Sequence, residues 1–109
     1  MSRSRGPIMR DIAREELIAE LLRLKPELER GGVRHMALFG SRARRDNRPD
    51  SDIDLIVDLD ESRGLSLLDI VGFHNLVEDR IGLPAHITTR GSLEGRFKQR
   101  VERDQVAVF

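Results

Sequence analysis

Gly40-Ser41, ten intervening residues and then Asp52-x-Asp54 bring a small-residue turn and two carboxylates into one short stretch, FGSRARRDNRPDSDIDLIVDLDE (39–61). Residues i and i+2 of a strand project to the same face, so Asp52 and Asp54 stand side by side, about 7 Å apart along the chain. Carboxylates that close repel each other unless a cation lies between them. Mg²⁺ takes oxygen ligands in octahedral geometry and is usually shared between one or two carboxylates and substrate phosphates. An isolated Asp-x-Asp is more often a solvated strand face, and the turn before it changes the weighting. After a buried strand, Gly40 lets the backbone turn sharply and lets a ligand approach the amides with no Cβ in the way. Ser41, Arg42 and Ala43 open a helical turn whose free N–H groups favour an anion. The Ser41 hydroxyl and the Arg42 guanidinium add bonds to phosphate oxygens. One end of such a site holds a polyphosphate and the other holds its metal.

The elements that must position these groups alternate between helix and strand. Residues 1–7 (MSRSRGP) read as a flexible basic arm, and residues 8–109 as one domain. From about Met9 to Lys25, Ile12, Leu17, Ile18, Leu21, Leu22 and Leu24 recur at helical spacing. Pro26 suits the first turn of a short second helix, which Gly31-Gly32 ends. VRHMALF (33–39) is a strand. DIDLIVDL (52–59) is another, with Asp52, Asp54, Ile56 and Asp58 on one face and Ile53, Leu55 and Val57 on the other. Residues 66–81 read as an amphipathic helix capped by Ser66, with Leu67, Ile70, Val71, Phe73, Leu76, Val77 and Ile81 on its apolar side. Pro84 opens a third strand, PAHITT. A last helix follows, capped by Ser92 with Phe97 and Val101 pointing inward, and VAVF adds a short strand. The alternation of helices and strands reads as an α/β (α+β) class.

Composition narrows the function classes. A chain of 109 residues builds one core but not two. Net charge is zero, so the mean field draws the molecule neither to nucleic acid nor to anionic membranes. Of 19 basic residues only Lys25 and Lys98 are lysine, which leaves 17 arginines and favours forked contacts to phosphate or carboxylate. The absence of cysteine excludes disulfides and thiolate metal sites. No apolar run approaches the roughly 18 residues of a membrane span and no signal-peptide core follows Met1, so the chain reads as cytoplasmic.

Gly40-Ser41, ten residues and Asp52-x-Asp54 match the signature of the minimal nucleotidyltransferases (MNT), in the DNA polymerase beta-like superfamily. The words ALFGSRAR, RPDSDIDLIV and SLLDI are similar too, and the resemblance spans roughly residues 10–109. It implies the polymerase beta-like fold, an α/β (α+β) domain with a small mixed sheet flanked by helices, with Gly40 and Ser41 holding the triphosphate of ATP and Asp52 and Asp54 ligating Mg²⁺. It further implies an antitoxin that neutralises a HEPN-type toxin by adenylylating it. The chain departs from the family at the third acid, expected on the strand after the long helix, where Ala85-His86-Ile87 places a histidine. Imidazole is a poor ligand for Mg²⁺ and a better one for Mn²⁺, and its ordinary pKa of about 6.5 suits a general base. A histidine packed at the sheet edge is the other reading of His86.

Further candidates carry less. His35 shares a strand face with Val33 and Ala37, and His74 lies mid-helix; both read as packed or edge histidines. Asp58, Asp60 and Glu61 read as a solvated strand end, while Arg44, Arg45 and Arg48 guide a triphosphate, pair with acids of a partner, or are solvated at the surface. Three classes follow: a nucleotidyltransferase acting on a partner protein, an antitoxin that neutralises by contact alone, and a nucleic-acid binder. Zero net charge and four aromatics place the last behind the others. A one-domain transferase leaves its nucleotide on an open face, which a partner or a second copy would help to enclose.

Overall fold

The two most apolar runs form the middle of the sheet. In the computed structural model, which describes residues 12–109, β1 (Val33–Phe39) pairs antiparallel with β2 (Ile53–Leu59). Strand β3 (Ala85–Thr89) runs parallel to β2, and β4 (Val106–Ala107) lies antiparallel along the other side of β1, giving the order β3-β2-β1-β4. The parallel β2–β3 pair requires a crossover, supplied by helix α4 (Leu67–Ile81). Helices α1 (Arg14–Arg23) and α2 (Lys25–Gly31) precede the sheet, α3 (Gly40–Arg44) follows β1, and α5 (Gly95–Asp104) leads into β4. The expected basic arm and the start of the first helix at Met9 lie outside the described residues.

Alternation along β2 sorts the core into two layers. Ile53, Leu55 and Val57 are fully buried with Met36 and Leu38 against Leu17, Leu21, Leu28, Phe73 and Val77 of the helices. Ile56 faces the other way and joins Ala37, Phe39, Leu93 and Val101 in a smaller cluster. Asp54 and Asp58 share that second face, as the period of two requires. Only part of it is covered, which leaves room for a groove.

Local signals set most of the boundaries. Ser66 caps α4 with a reciprocal pair, its side chain accepting from the backbone N–H of Asp69, the third helical residue, while its own N–H donates to the Asp69 carboxylate at 2.7 Å. Pro26 opens α2, and Gly32, at φ 112°, closes it. Four expectations need correction. Ser92 does not cap α5: it ends a 3-10 turn (Arg90–Ser92), its hydroxyl donating to the Thr89 carbonyl, and Glu94 occupies the cap position instead. A register shift between Val33 and His35 sends Val33 to the helix side and Ala37 to the other, so His35 is an exposed residue rather than a packed one. Leu67 and Val71 stand 75 % and 45 % exposed, because only Phe73, Val77 and Ile81 of α4 are fully buried. Phe97 is 40 % exposed, one helical turn before the buried Val101.

Candidate functional site

Strand register creates the site. Phe39, Asp54 and His86 lie abreast on β1, β2 and β3. The chain turns immediately after Phe39 at Gly40, whose φ of 75° is the left-handed conformation that only glycine adopts at little cost. A Cβ on Gly40 would collide with the Asp54 carboxylate. Glycine is therefore required twice, for the turn and for the close approach of the turn to an acid. Asp52 directly precedes β2, and its carboxylate sits 2.8 Å from Nε2 of His86. These groups face a groove of about 480 Å³, lined by Ser41, Ser51, Asp52, Asp54, His86 and Thr88, with Phe39 and Phe97 as an aromatic wall. Such a volume lies within the usual range for small-molecule sites.

The electrostatics ask for a cation. Burial pushes the Asp54 carboxyl above its ordinary range; the charge of Asp52 adds to this, and those of His86 and Arg44 offset part of it. A cation between the two carboxylates would relieve both causes. Among the described residues no cluster of three or more His, Asp or Glu side chains could hold a metal by itself. Two hard oxygen donors with the remaining positions left to phosphate and water is the Mg²⁺ pattern, so the residues present fit that ion.

Arg42 is not where the sequence suggested. Its side chain is 1 % exposed. Nε donates to the Ser51 carbonyl at 3.0 Å and an Nη to the Pro49 carbonyl at 3.1 Å. Arg42 thus fastens the loop that delivers Asp52 to the turn that delivers Ser41. The other arginines of the run are engaged at the surface: Arg44 with Asp46 and Asp104 at 3.0 and 3.2 Å, Arg45 with Glu15, and Arg48 with Asp50 at 3.5 Å. Asp58 pairs with Arg90 at 3.0 Å, and Asp60 caps a 3-10 turn through Ser62, so neither extends the acidic pair. His74 pairs with Glu78 at 3.1 Å.

The residues 15–108 match the nucleotidyltransferase domain family. The chain belongs to that family. It is 36% identical to the protein adenylyltransferase MntA of Thermococcus cleftensis over 95 residues, 86% of this chain and 94% of that one. A solved chain named for the minimal nucleotidyltransferases shares 30% identity with a TM-score of 0.75, covering 88% of this chain and 96% of that one. A structure of a tri-AMPylated Shewanella oneidensis HEPN toxin in complex with an MNT antitoxin, at 14% identity and TM-score 0.64, covers 88% of this chain and 71% of that one and shares the fold. The mixed sheet with flanking helices is the minimal nucleotidyltransferase architecture, and the protein is a nucleotidyltransferase. Among the described residues no helix is long and apolar enough to cross a membrane.

Of the residues singled out from sequence, Ser41, Asp52, Asp54 and His86 line one groove, Gly40 abuts Asp54, and Arg42 lies behind them. Thr88 and Phe97 were not anticipated. Phe97 had one signal: with Val101 it forms the whole apolar stripe of an otherwise polar α5.

Proposed function

We propose that this protein transfers AMP from ATP to a hydroxyl of a partner protein, and that the partner is a HEPN-type toxin which the transfer neutralises. The observation that carries this reading is the glycine turn pressed against Asp54, with Asp52 beside it and an open groove in front. A phosphate chain and a carboxylate-bound cation are the ligands such a junction suits. The relative named as a protein adenylyltransferase supports the nucleotide and the class of acceptor. The shared fold with an MNT antitoxin bound to an AMPylated HEPN toxin is consistent with the partner.

In this reading Gly40 and Ser41 hold the triphosphate, and Asp52 and Asp54 hold Mg²⁺. The metal supplies charge neutralisation for the phosphates and for the departing pyrophosphate. Residues 8–109 form the transferase unit and residues 1–7 an arm outside it. Ser41 contributes its hydroxyl and the amides of the α3 turn. Arg42 fixes the loop so that Asp52 and Ser41 keep their separation. His86, 65 % exposed at the groove, takes the proton of the acceptor hydroxyl as its oxygen bonds to the α-phosphorus and the bond to pyrophosphate breaks. The open groove leaves the acceptor side to be closed by the partner or by a second copy of this chain.

A second reading is favoured by one contact. His86 stands where the family places an acid, and it already occupies Asp52. If that pairing persists with nucleotide bound, the chain neutralises its toxin by contact alone. Incubation with the cognate partner and labelled ATP, first in Mg²⁺ and then in Mn²⁺, separates the two. Label on the partner is the expected result. Neutralisation without label in either metal selects the contact-only antitoxin.

A further inference from the structure

We propose that Phe97 is the surface on which the nucleobase stacks when a nucleoside triphosphate occupies the groove; this rests on the groove being the triphosphate site. Phe97 is 40 % exposed, whereas Val101, the other apolar residue of α5, is 1 % exposed. Among the described residues the large exposed apolar side chains are Leu22, Leu67, Leu68, Val71 and Phe97. Phe97 is the one aromatic among them, and it is the one that lines the groove of Ser41, Asp54 and His86. It lies outside the core cluster formed by Phe39, Ile56, Leu93 and Val101. Packing against its neighbours covers only part of the ring and leaves the rest facing the groove.

The ring is supported from behind. Phe39, buried at 8 % exposure, meets it edge to face with centroids 5.9 Å apart and planes at 74°. The Arg100 guanidinium lies 5.9 Å from the ring centre. Edge-to-face packing is a favoured aromatic geometry, so Phe97 is presented by a fixed partner rather than left to sample solvent. Helix α5 is joined to α3 by the Arg44–Asp104 ion pair at 3.2 Å, which ties the aromatic wall to the turn carrying Ser41. The groove thus has a phosphate and metal end and an apolar aromatic wall, the two halves of a nucleotide. Stacking on an aromatic ring is available to every base and reads the π-face rather than the hydrogen-bonding edge. The wall should favour larger purines over pyrimidines and discriminate weakly between adenine and guanine.

The test compares ATP with inorganic tripolyphosphate, which carries the phosphates and no base. Calorimetry in Mg²⁺ on the full chain should show Phe97→Ala and Phe97→Leu losing on the order of tenfold in ATP affinity, with tripolyphosphate binding unchanged. Phe97→Leu keeps most of the apolar bulk and guards against loss of fold. Phe97→Trp should retain ATP binding. It also introduces the chain's sole tryptophan, whose fluorescence ATP should quench and tripolyphosphate should not. Unchanged ATP affinity in both truncated variants, or equal losses for the two ligands, would overturn the proposal. A parent protein that binds neither ligand rejects the triphosphate site itself, and the stacking surface with it.

Discussion

Burial raises the Asp54 carboxyl above the ordinary carboxylate range, and the neighbouring Asp52 strengthens the effect against the opposing charges of His86 and Arg44. A group whose folded pKa lies above its unfolded value of about 3.9 contributes stability that is complete below that value and lost as pH rises through the folded pKa. Without metal, Asp54→Asn should therefore melt above the parent at about pH 7, and the difference should shrink below about pH 4, where the parent carboxyl is protonated. Scanning calorimetry at the two pH values measures this, and an Asn variant less stable than its parent at neutral pH would contradict it. At the other end of the groove, Ser41→Ala removes one hydroxyl contact and should weaken ATP binding by about 0.5–1.5 kcal/mol. Gly40→Val is more severe. It places a β-branched residue at φ 75° and drives a Cβ into Asp54. It should abolish ATP binding and cost at least about 1–2 kcal/mol of stability, measurable by denaturant unfolding; normal ATP binding by this variant would remove the turn from the site.

Among the elements, the segment from α3 to β2 decides whether the site exists. Arg42 donates to the Ser51 and Pro49 carbonyls from a fully buried position, so Arg42→Met leaves both acceptors without those bonds. Pro49 is exposed and Ser51 half-buried, so water can replace part of each bond, and each loss costs about 0.5–1.5 kcal/mol. The variant should lose stability on that order and also lose ATP affinity, although residue 42 would touch no nucleotide. Arg42→Lys should not rescue it, because a single ammonium cannot reproduce the fork. Stability and affinity measured together check this; a Lys variant equal to the parent would show that the fork is dispensable. The same segment marks how far the sequence could be read. β1 and β2 were readable to within a residue because short apolar runs, alternation along β2 and a glycine turn are local signals. The Ser66 cap and the Pro26 start were readable for the same reason. Arg42 was not, because its type and place suit a phosphate as well as a carbonyl, and only the return of the loop from Pro49 to Ser51 settles which. His35 was misplaced by a bulge that no residue type announces. Periodicity turns Phe97 inward, yet where the core ends along α5 depends on the width of the sheet beneath it.

For the molecule as a whole, groups from α3, β2, β3 and α5 converge on one partly covered face of the sheet, while α1, α2 and α4 close the other. This division leaves one face of the sheet partly open. If residues 8–109 form the transferase unit, deletion of residues 1–7 should leave both the melting temperature and the ATP affinity unchanged. A large loss of either would place the arm within the domain. Because Asp52 and Asp54 flank one groove and the glycine turn seats against Asp54, the nucleotide and the cation should bind as a unit. Calorimetric titration of ATP, with and without Mg²⁺, into the parent protein and into the Asp52→Ala/Asp54→Ala variant examines that directly. Mg²⁺-dependent binding that disappears in the folded double variant is the expected result; equal affinity in parent and variant, or binding indifferent to Mg²⁺, would contradict a metal–nucleotide site at this turn.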